Sequence, residues 1–143
     1  MIIRSILKSK GSTVETVGPD KSIQEVARIL YQKKIGAVIV MQNNEIKGVL
    51  SERDIVRGLT RSGDSVVDLP VSALMSREVR TCRPDAEIRA VMRLMTDHRI
   101  RHLPVVDNGV LCGIVSIGDV VKSRLEDMEM EANVLRDYAV AHH

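Results

Sequence analysis

Apolar residues recur at helical spacing in two separate stretches of the chain, each beginning shortly after a Pro-Asp pair. The positions are Ile23, Val26, Ala27 and Leu30 in the first stretch and Ile88, Val91, Met92 and Met95 in the second. Two apolar runs rich in β-branched residues follow each predicted helix, a pattern typical of two strands joined by a short turn. These runs span residues 37–41 and 46–50, then 103–106 and 110–115.

The two stretches are copies of one sequence unit. A shift of 65 positions superimposes residues 14–56 on residues 79–121 without a gap. Near the end of each copy, a Ser-x-x-Asp pattern predicts the capped start of another helix. The order of elements in each copy is therefore β-α-β-β-α, and we predict an α+β fold built from two repeats.

The repeat also divides the chain into two expected domains. Residues 1–70 hold an N-terminal segment, the first copy and a polar linker at 60–70, and residues 71–143 hold the second copy. Ser22 is expected to cap the first long helix, and Asp85 is the candidate cap of its counterpart.

Apolar residues continue at helical spacing beyond Asp119, which predicts a long C-terminal helix. They are Val120, Val121, Leu125, Met128, Ala132, Leu135 and Tyr138. An apolar stripe on a helix has to be covered, so we expect this helix to dock on its own domain or on a partner chain.

Composition and charge argue against nucleic acid as a partner. The chain of 143 residues has no Phe or Trp and two Tyr, so it lacks the aromatic side chains on which single-stranded bases stack. Its 21 basic and 19 acidic residues are interleaved and give a net charge of +2, which is unlike the basic stripe that a phosphate backbone requires.

Cysteine spacing and hydropathy narrow the class of protein further. Cys82 and Cys112 lack the Cys-x-x-Cys spacing of zinc sites, and we expect two free thiols and no bound metal. No stretch reaches the roughly 18 apolar residues of a membrane span, and the N-terminal apolar run is too short for a secretory signal. We therefore expect a cytoplasmic protein with no membrane contact.

Three pairs of segments resemble the CBS (cystathionine-β-synthase) domain family, in the tandem arrangement called a Bateman module. They are VETVGPDKSIQEVA and VRTCRPDAEIRAV, GAVIV and RHLPVVD, and GVLSERD and GIVSIGD. The resemblance covers both copies and leaves out the first dozen residues, the linker and the tail. It implies two repeats packed sheet to sheet about a pseudo-twofold axis, two clefts, and association of two chains into a homodimer.

The resemblance further implies that the clefts bind an adenine nucleotide. We expect AMP first, with ADP, ATP, NAD(H) or S-adenosylmethionine as alternatives. Asp54 and Asp119 are the expected acceptors for the two ribose hydroxyls, because a carboxylate can accept two hydrogen bonds side by side. The other expected site residues are Thr16, Gly36, Ala37, Val38, Ser51 and Arg53 in the first copy, and Thr81, Arg99, Arg101, His102, Leu103, Pro104 and Ser116 in the second.

Each group of these residues has an expected role. The two serines and the adjacent helix starts favour phosphate or sugar, and the threonines offer hydroxyls from the opposite side. The segments 36–38 and 102–104 are expected to hold adenine with backbone groups and aliphatic side chains. The arginines and His102 are expected to pair with phosphate. Arg99, Arg101 and His102 form an Arg/His cluster in the second copy, which makes the second cleft the stronger candidate.

Interpretations without a ligand stay open. Ser-x-x-Asp can be a helix cap alone, the threonines can be ordinary strand residues, and the Arg/His cluster can be a solvated helix end. The leading hypothesis is a regulatory module with no enzyme activity and no catalytic cofactor, which modulates an unidentified enzyme or transporter in trans. The alternative is a dimeric protein-interaction scaffold with structural or vacant clefts.

Overall fold

A computed structural model describes residues 1–142, which form two compact units. We call Thr13–Arg80 the first repeat unit, and Met1–Ser12 together with the chain from Thr81 onward the second repeat unit. The division differs from the expected boundary between residues 70 and 71. The N-terminal segment packs with the second copy, and residues 71–80 pack with the first.

The first repeat unit contains a three-stranded sheet with helices against it. Its elements are β1 (Thr16–Val17), α2 (Ile23–Lys33), β2 (Ala37–Gln42), β3 (Glu45–Ser51) and α3 (Glu52–Ser62). Strand β1 runs parallel to β2, and β2 and β3 form an antiparallel hairpin. Asn43 and Asn44 make the turn with φ of 54° and 62°, as two-residue hairpin turns of the commonest type require. The predicted order β-α-β-β-α is confirmed in this copy.

Local capping defines the start of helix α2 as expected. The Ser22 hydroxyl accepts a hydrogen bond from the Glu25 backbone N–H at 3.2 Å. Residues Ile23, Val26 and Leu30 are buried on one face of the helix, and they pack into the core of this unit. The sequence spacing therefore identified the buried face of α2 correctly.

The expected linker at 60–70 is a packed segment. Helix α3 continues to Ser62, and short 3₁₀ helices follow at Gly63–Asp68 and Val71–Ala73. Val66 is only 2% exposed and lies in the core. The polar composition of the segment concealed this because one apolar side chain per turn is enough to anchor a short 3₁₀ helix.

Residues 75 and 76 lie close against strand β3, which explains why they belong to the first unit. The backbones of Val49 and Ser76 exchange two hydrogen bonds, of 3.0 and 3.1 Å. A Cβ added at Gly48 would lie 2.6 Å from Sδ of Met75 and 2.9 Å from the Ser76 carbonyl oxygen. Gly48 therefore permits an approach that no larger residue would allow.

The second repeat unit has a two-stranded sheet. Its elements are α1 (Ile3–Lys10), α4 (Ile88–His98), β4 (His102–Asp107), β5 (Val110–Ser116) and α5 (Ile117–Ala141). The counterpart of β1 is reduced to a single parallel bridge between Cys82 and Val105. Glu87, not Asp85, precedes the first helical residue of α4, and the Asp85 carboxylate accepts from Arg83 Nε at 3.1 Å. The expected Asp85 cap is thus wrong, because the helix begins at Ile88 and Asp85 lies two residues before the N-cap position.

Helix α1 completes the core of the second repeat unit. Ile3 is fully buried and Ile6 nearly so, among the buried side chains of α4, β4 and β5. Leu7 covers Gly113, where an added Cβ would lie 2.7 Å from one Leu7 methyl carbon. Backbone hydrogen bonds from Ile3 N to Ala86 O and from Arg4 N to Pro84 O, at 2.9 and 2.8 Å, fix the start of the helix. Residues 1–12 precede the first copy in the sequence but pack with the second.

Helix α5 extends well beyond the core that it joins. Val120 and Ser123 are its buried residues, and the Met1 amino group pairs with Asp127 at 3.7 Å. The apolar side chains from Leu125 onward are exposed, so within this chain the helix does not dock along its full length. Among residues 1–142, no helix combines the length and the hydropathy needed to cross a bilayer.

Candidate functional site

In the first repeat unit, Asp54 lies at the start of α3 with its side chain only 7% exposed. Its Oδ2 accepts from the Ser51 backbone N–H at 2.9 Å and from the Ser51 hydroxyl at 3.2 Å. Its Oδ1 accepts from Nη1 of Arg57, one turn further along the helix, at 3.3 Å. The carboxylate is a helix cap whose second oxygen is held by a half-exposed arginine.

The strand start beside this cap contains the other expected residues of the first copy. The Glu52 N–H donates to the Gly36 carbonyl at 3.0 Å, and Ala37 stands opposite Ser51 in the sheet. Thr16 is exposed and pairs with Ile39, two residues further along β2. Val38 is fully buried in the core, so only its backbone can contribute to a site at this strand start.

The second repeat unit repeats this arrangement. Oδ2 of Asp119 accepts from the Ser116 N–H at 2.9 Å, and the Asp119 N–H donates to the Ser116 hydroxyl at 3.1 Å. The Ile117 N–H donates to the Arg101 carbonyl at 2.8 Å, and His102 stands opposite Ser116. Both predicted capping boxes are therefore confirmed.

The remaining expected residues of the second copy divide into buried and exposed groups. Leu103 is fully buried in the core and Pro104 is also buried, so their side chains are less available to a ligand than was expected. Thr81, Arg99 and Arg101 are exposed, as Arg53 is in the first copy. None of these basic side chains is buried in a core, so each is accessible to an anion from the solvent.

Lys10 is a partner of Asp119 that the sequence did not indicate. Its Nζ lies 2.6 Å from Oδ2 of Asp119 and 3.1 Å from the carbonyl oxygen of Ile114. Since Lys10 is the last residue of α1, this contact ties the N-terminal helix to the start of α5. The two residues are 109 positions apart, and no local sequence pattern connects them. Arg57, by contrast, could have been found from its i+3 spacing to Asp54.

The environment of Asp119 changes its acidity. Partial burial by itself would raise the pKa of Asp119, but the hydrogen bonds from Lys10 and Ser116 and the charge of Lys10 outweigh it and lower the pKa. Asp119 is therefore held as a carboxylate, the form that can accept hydrogen bonds from hydroxyl groups.

We expect Lys10→Met to lower the free energy of unfolding by about 1 kcal/mol at neutral pH, since it removes a partly exposed ion pair and leaves the side-chain stem. The folded-state pKa of Asp119 is lowered, so the ion pair stabilises the fold fully above the ordinary aspartate pKa of about 3.9. This stabilisation is lost as pH falls through the folded-state pKa of Asp119. The difference between wild type and variant should shrink below about pH 4. Urea unfolding over a pH series measures it, with Lys8→Met, an exposed lysine of the same helix, as control. A difference independent of pH would mean that Lys10 acts through packing.

The two thiols are poorly suited to nucleophilic chemistry. Burial raises the pKa of Cys82 to about 12, and the nearby Cys112 adds to the rise. The pKa of Cys112 is also raised, first by burial and then by the charge of Asp107. Both cysteines are free, as expected, and because the thiolate is the reactive form neither is activated at neutral pH. Within the described chain, no group of three or more His, Cys, Asp or Glu side chains is arranged to hold a metal ion.

Comparison with known proteins gives the family. Residues 6–61 and 71–126 each match the family model of the CBS domain. The chain belongs to the CBS-domain family. CBS-domain pairs are regulatory modules, and this pair covers 87% of the length of its relative YhcV.

Three relatives illustrate the similarity of this CBS-domain pair to known proteins. The CBS domain-containing protein YhcV of Bacillus subtilis is 35% identical over 123 residues, which is 86% of this chain and 87% of the relative. The CBS-domain protein ATU1752 of Agrobacterium tumefaciens has a crystal structure with a TM-score of 0.84 and 42% identity, covering 87% of this chain and 99% of its own. The CBS domain pair of protein MJ0100 was solved in complex with 5'-methylthioadenosine and S-adenosyl-L-methionine. It has a TM-score of 0.77 and 25% identity, and the match covers 90% of this chain and 98% of the MJ0100 chain.

Proposed function

We propose that this CBS-domain pair binds an adenine nucleotide, with AMP as the first expectation and NAD(H) or ATP as alternatives, and thereby modulates a partner. The observation that carries the proposal is the duplicated carboxylate. Asp54 and Asp119 stand at the same position of the repeat, each at a helix start beside the first residues of a strand. A carboxylate in this position can accept both vicinal hydroxyls of a ribose, and the helix N-terminus attracts an anion.

The relative MJ0100 supports this class of ligand. Both of the small molecules in its complex contain an adenosine, and therefore a ribose with two vicinal hydroxyls. Neither molecule carries a phosphate, however, whereas this chain presents Arg53, Arg99 and Arg101 as exposed basic side chains. Arginine pairs well with phosphate oxygens, so we expect AMP to bind more tightly than adenosine.

Ligand binding would also act on contacts within the protein. A ribose that donates to Asp119 has to share the carboxylate with Lys10 or displace it, and a ribose at Asp54 meets Arg57 in the same way. Displacement of Lys10 would release α1 from the start of α5. A ligand that prefers the released arrangement would shift the population toward it, and a partner that contacts α1 or α5 would detect the shift.

A thermal-shift series with AMP, ADP, ATP, NAD, NADH, S-adenosylmethionine and adenosine tests the proposal. A ligand present at 100 times its dissociation constant should stabilise the fold by about 2.7 kcal/mol, which is a shift of several degrees. We expect the largest shift with AMP and a smaller one with adenosine. If no compound shifts the unfolding temperature and calorimetry detects no heat of binding, the nucleotide proposal is wrong.

The second candidate function is a dimeric interaction scaffold in which the Ser-Asp pairs serve only as helix caps. The exposed apolar side chains of α5 favour it, since such a surface marks an interaction site. Asp119→Ala separates the two functions: it should remove nucleotide binding at the second repeat in a sensor and leave partner binding intact in a scaffold. In both cases we expect no catalytic activity and a partner enzyme or transporter that acts in trans. The cytoplasmic location stays a prediction.

A further inference from the structure

The second half of helix α5 carries large apolar side chains that its own unit leaves exposed. Leu125 is 55% exposed, Met128 50% and Leu135 69%, and the last buried residue of the helix is Ser123. Exposed apolar side chains that line up on one helix are characteristic of a surface covered by another chain.

The spacing of these side chains indicates what kind of partner covers them. The intervals along the helix are four, three, four, three and four residues, which is the heptad pattern of a coiled coil. We call this set the heptad stripe; it consists of Val121, Leu125, Met128, Ala132, Leu135 and Ala139. In heptad notation Leu125, Ala132 and Ala139 take position a, and Val121, Met128 and Leu135 take position d.

Charged residues flank the heptad stripe in an order that favours pairing with an identical helix. In a parallel in-register pair, each g position faces the e position five residues later in the other helix. Arg124 would then face Glu129 of a second copy, and Glu131 would face Arg136 of a second copy. The twofold symmetry makes each contact occur twice, which gives four pairs of opposite charge. Arg124 also contacts Glu131 of its own chain, at 3.5 Å, so these charges lie along one edge of the stripe.

The antiparallel arrangement that overlaps along the whole heptad stripe is disfavoured by the same charges. If Leu125 packed against Leu135 of an antiparallel partner, Glu129 would face Glu129 and Lys122 would face Arg136. Glu131 would likewise face Glu131 of the second copy. Facing like charges repel each other, so among the arrangements that overlap along the whole stripe the charges favour the parallel pair.

We propose that two copies of this chain associate through a parallel, in-register coiled coil formed by the heptad stripe of α5. The small alanines at two a positions let the helices approach closely, and leucine and methionine fill the layers between them. Association buries side chains that the isolated chain leaves in water. The inference rests on α5 alone and does not depend on which ligand the CBS repeats bind.

The mass of the full-length protein in solution, measured by light scattering over a range of chain concentrations, tests the association. We expect Leu125→Glu/Leu135→Glu to halve the mass of the wild-type particle, because it places charges in two layers of the stripe. Met130→Glu/Val140→Glu is the matched control, since it adds the same charges to exposed apolar positions off the stripe. All four side chains are exposed, and circular dichroism should confirm that both variants fold. A monomeric wild type, or equal masses for wild type and stripe variant, would overturn the proposal.

Two further variants test the orientation. Leu125→Cys should form a disulfide between chains under mild oxidation only in the parallel pair, because the antiparallel pair places residue 125 opposite residue 135. Wild type, with its own Cys82 and Cys112, is the control for disulfides at other positions. Arg136→Glu should weaken association by placing two glutamates in contact, and Glu131→Arg/Arg136→Glu should restore it. An absent disulfide together with a dimeric mass would refute the parallel register. If the chain instead associates through another surface or with a different protein, the stripe variant will have the same mass as the wild type.

Discussion

Asp119→Asn should weaken the binding of AMP to the second repeat by 10- to 100-fold, and Asp54→Asn should do the same for the first. A hydrogen bond to a charged group contributes about 1.5–3 kcal/mol, and each 1.4 kcal/mol is about a tenfold change in affinity. The amide keeps one acceptor oxygen and the shape of the side chain, so it can still cap Ser116 or Ser51. Isothermal calorimetry on the single and double variants measures the number of sites and the affinity of each.

Glu52→Gln is the matched control for these variants. Glu52 is an exposed carboxylate in the first turn of α3, two residues from Asp54, so its replacement removes the same charge from the same helix start. We expect its AMP affinity to remain within about twofold of wild type, since an exposed charge near a site changes binding only weakly. Unchanged binding in the double aspartate variant would mean that both carboxylates act solely as helix caps. Equal losses in the control and the aspartate variants would point to a general effect of charge.

Ile3→Ala should destabilise the second repeat unit by about 2–5 kcal/mol, the range for truncation of a fully buried isoleucine. Ile3 is completely buried among side chains of α4, β4 and β5, so its truncation leaves a cavity in this core. Urea unfolding gives the size of the effect. Hydrogen exchange locates it: we expect faster exchange in β4 and β5 and unchanged exchange in β2 and β3.

Ile2→Ala is the control for this truncation. Ile2 is half-buried and contacts Glu87 through its backbone, which alanine preserves, so we expect a loss of less than about 1.5 kcal/mol. Faster exchange in β2 and β3 of the Ile3 variant would contradict the assignment of the N-terminal helix to the second repeat unit. Equal losses for both variants would show that the burial of Ile3 is not what holds α1 in place.

The candidate site was predictable from the sequence to the extent that its contacts are local. Each Ser-Asp pair lies within one helical turn, and such a capping box depends on spacing alone. The side chains of Val38 and Leu103 were expected to line the sites and are instead buried in the cores. Alternation along a strand assigns residues to two faces but does not say which face the helices will cover. Lys10 was missed for a different reason, because its contact with Asp119 depends on where α1 docks.

The sequence by itself determined the elements of the two repeats and their order, but it did not predict helix α1. Apolar periodicity located α2, α4, α5 and the two hairpins, and the Ser-x-x-Asp pattern located the start of α3, because these features depend on neighbours within a few residues. The internal repeat identified the paired architecture. Only the tertiary structure decided which segments share a core. It placed Met1–Ser12 with the second copy and turned the expected linker into packed 3₁₀ helices. It also brought Lys10 to Asp119 and left the heptad stripe of α5 uncovered. These outcomes depend on contacts between residues distant in sequence, such as Leu7 against Gly113 and Met75 against Gly48. Short-range sequence patterns carry no information about which distant residues bury an apolar side chain.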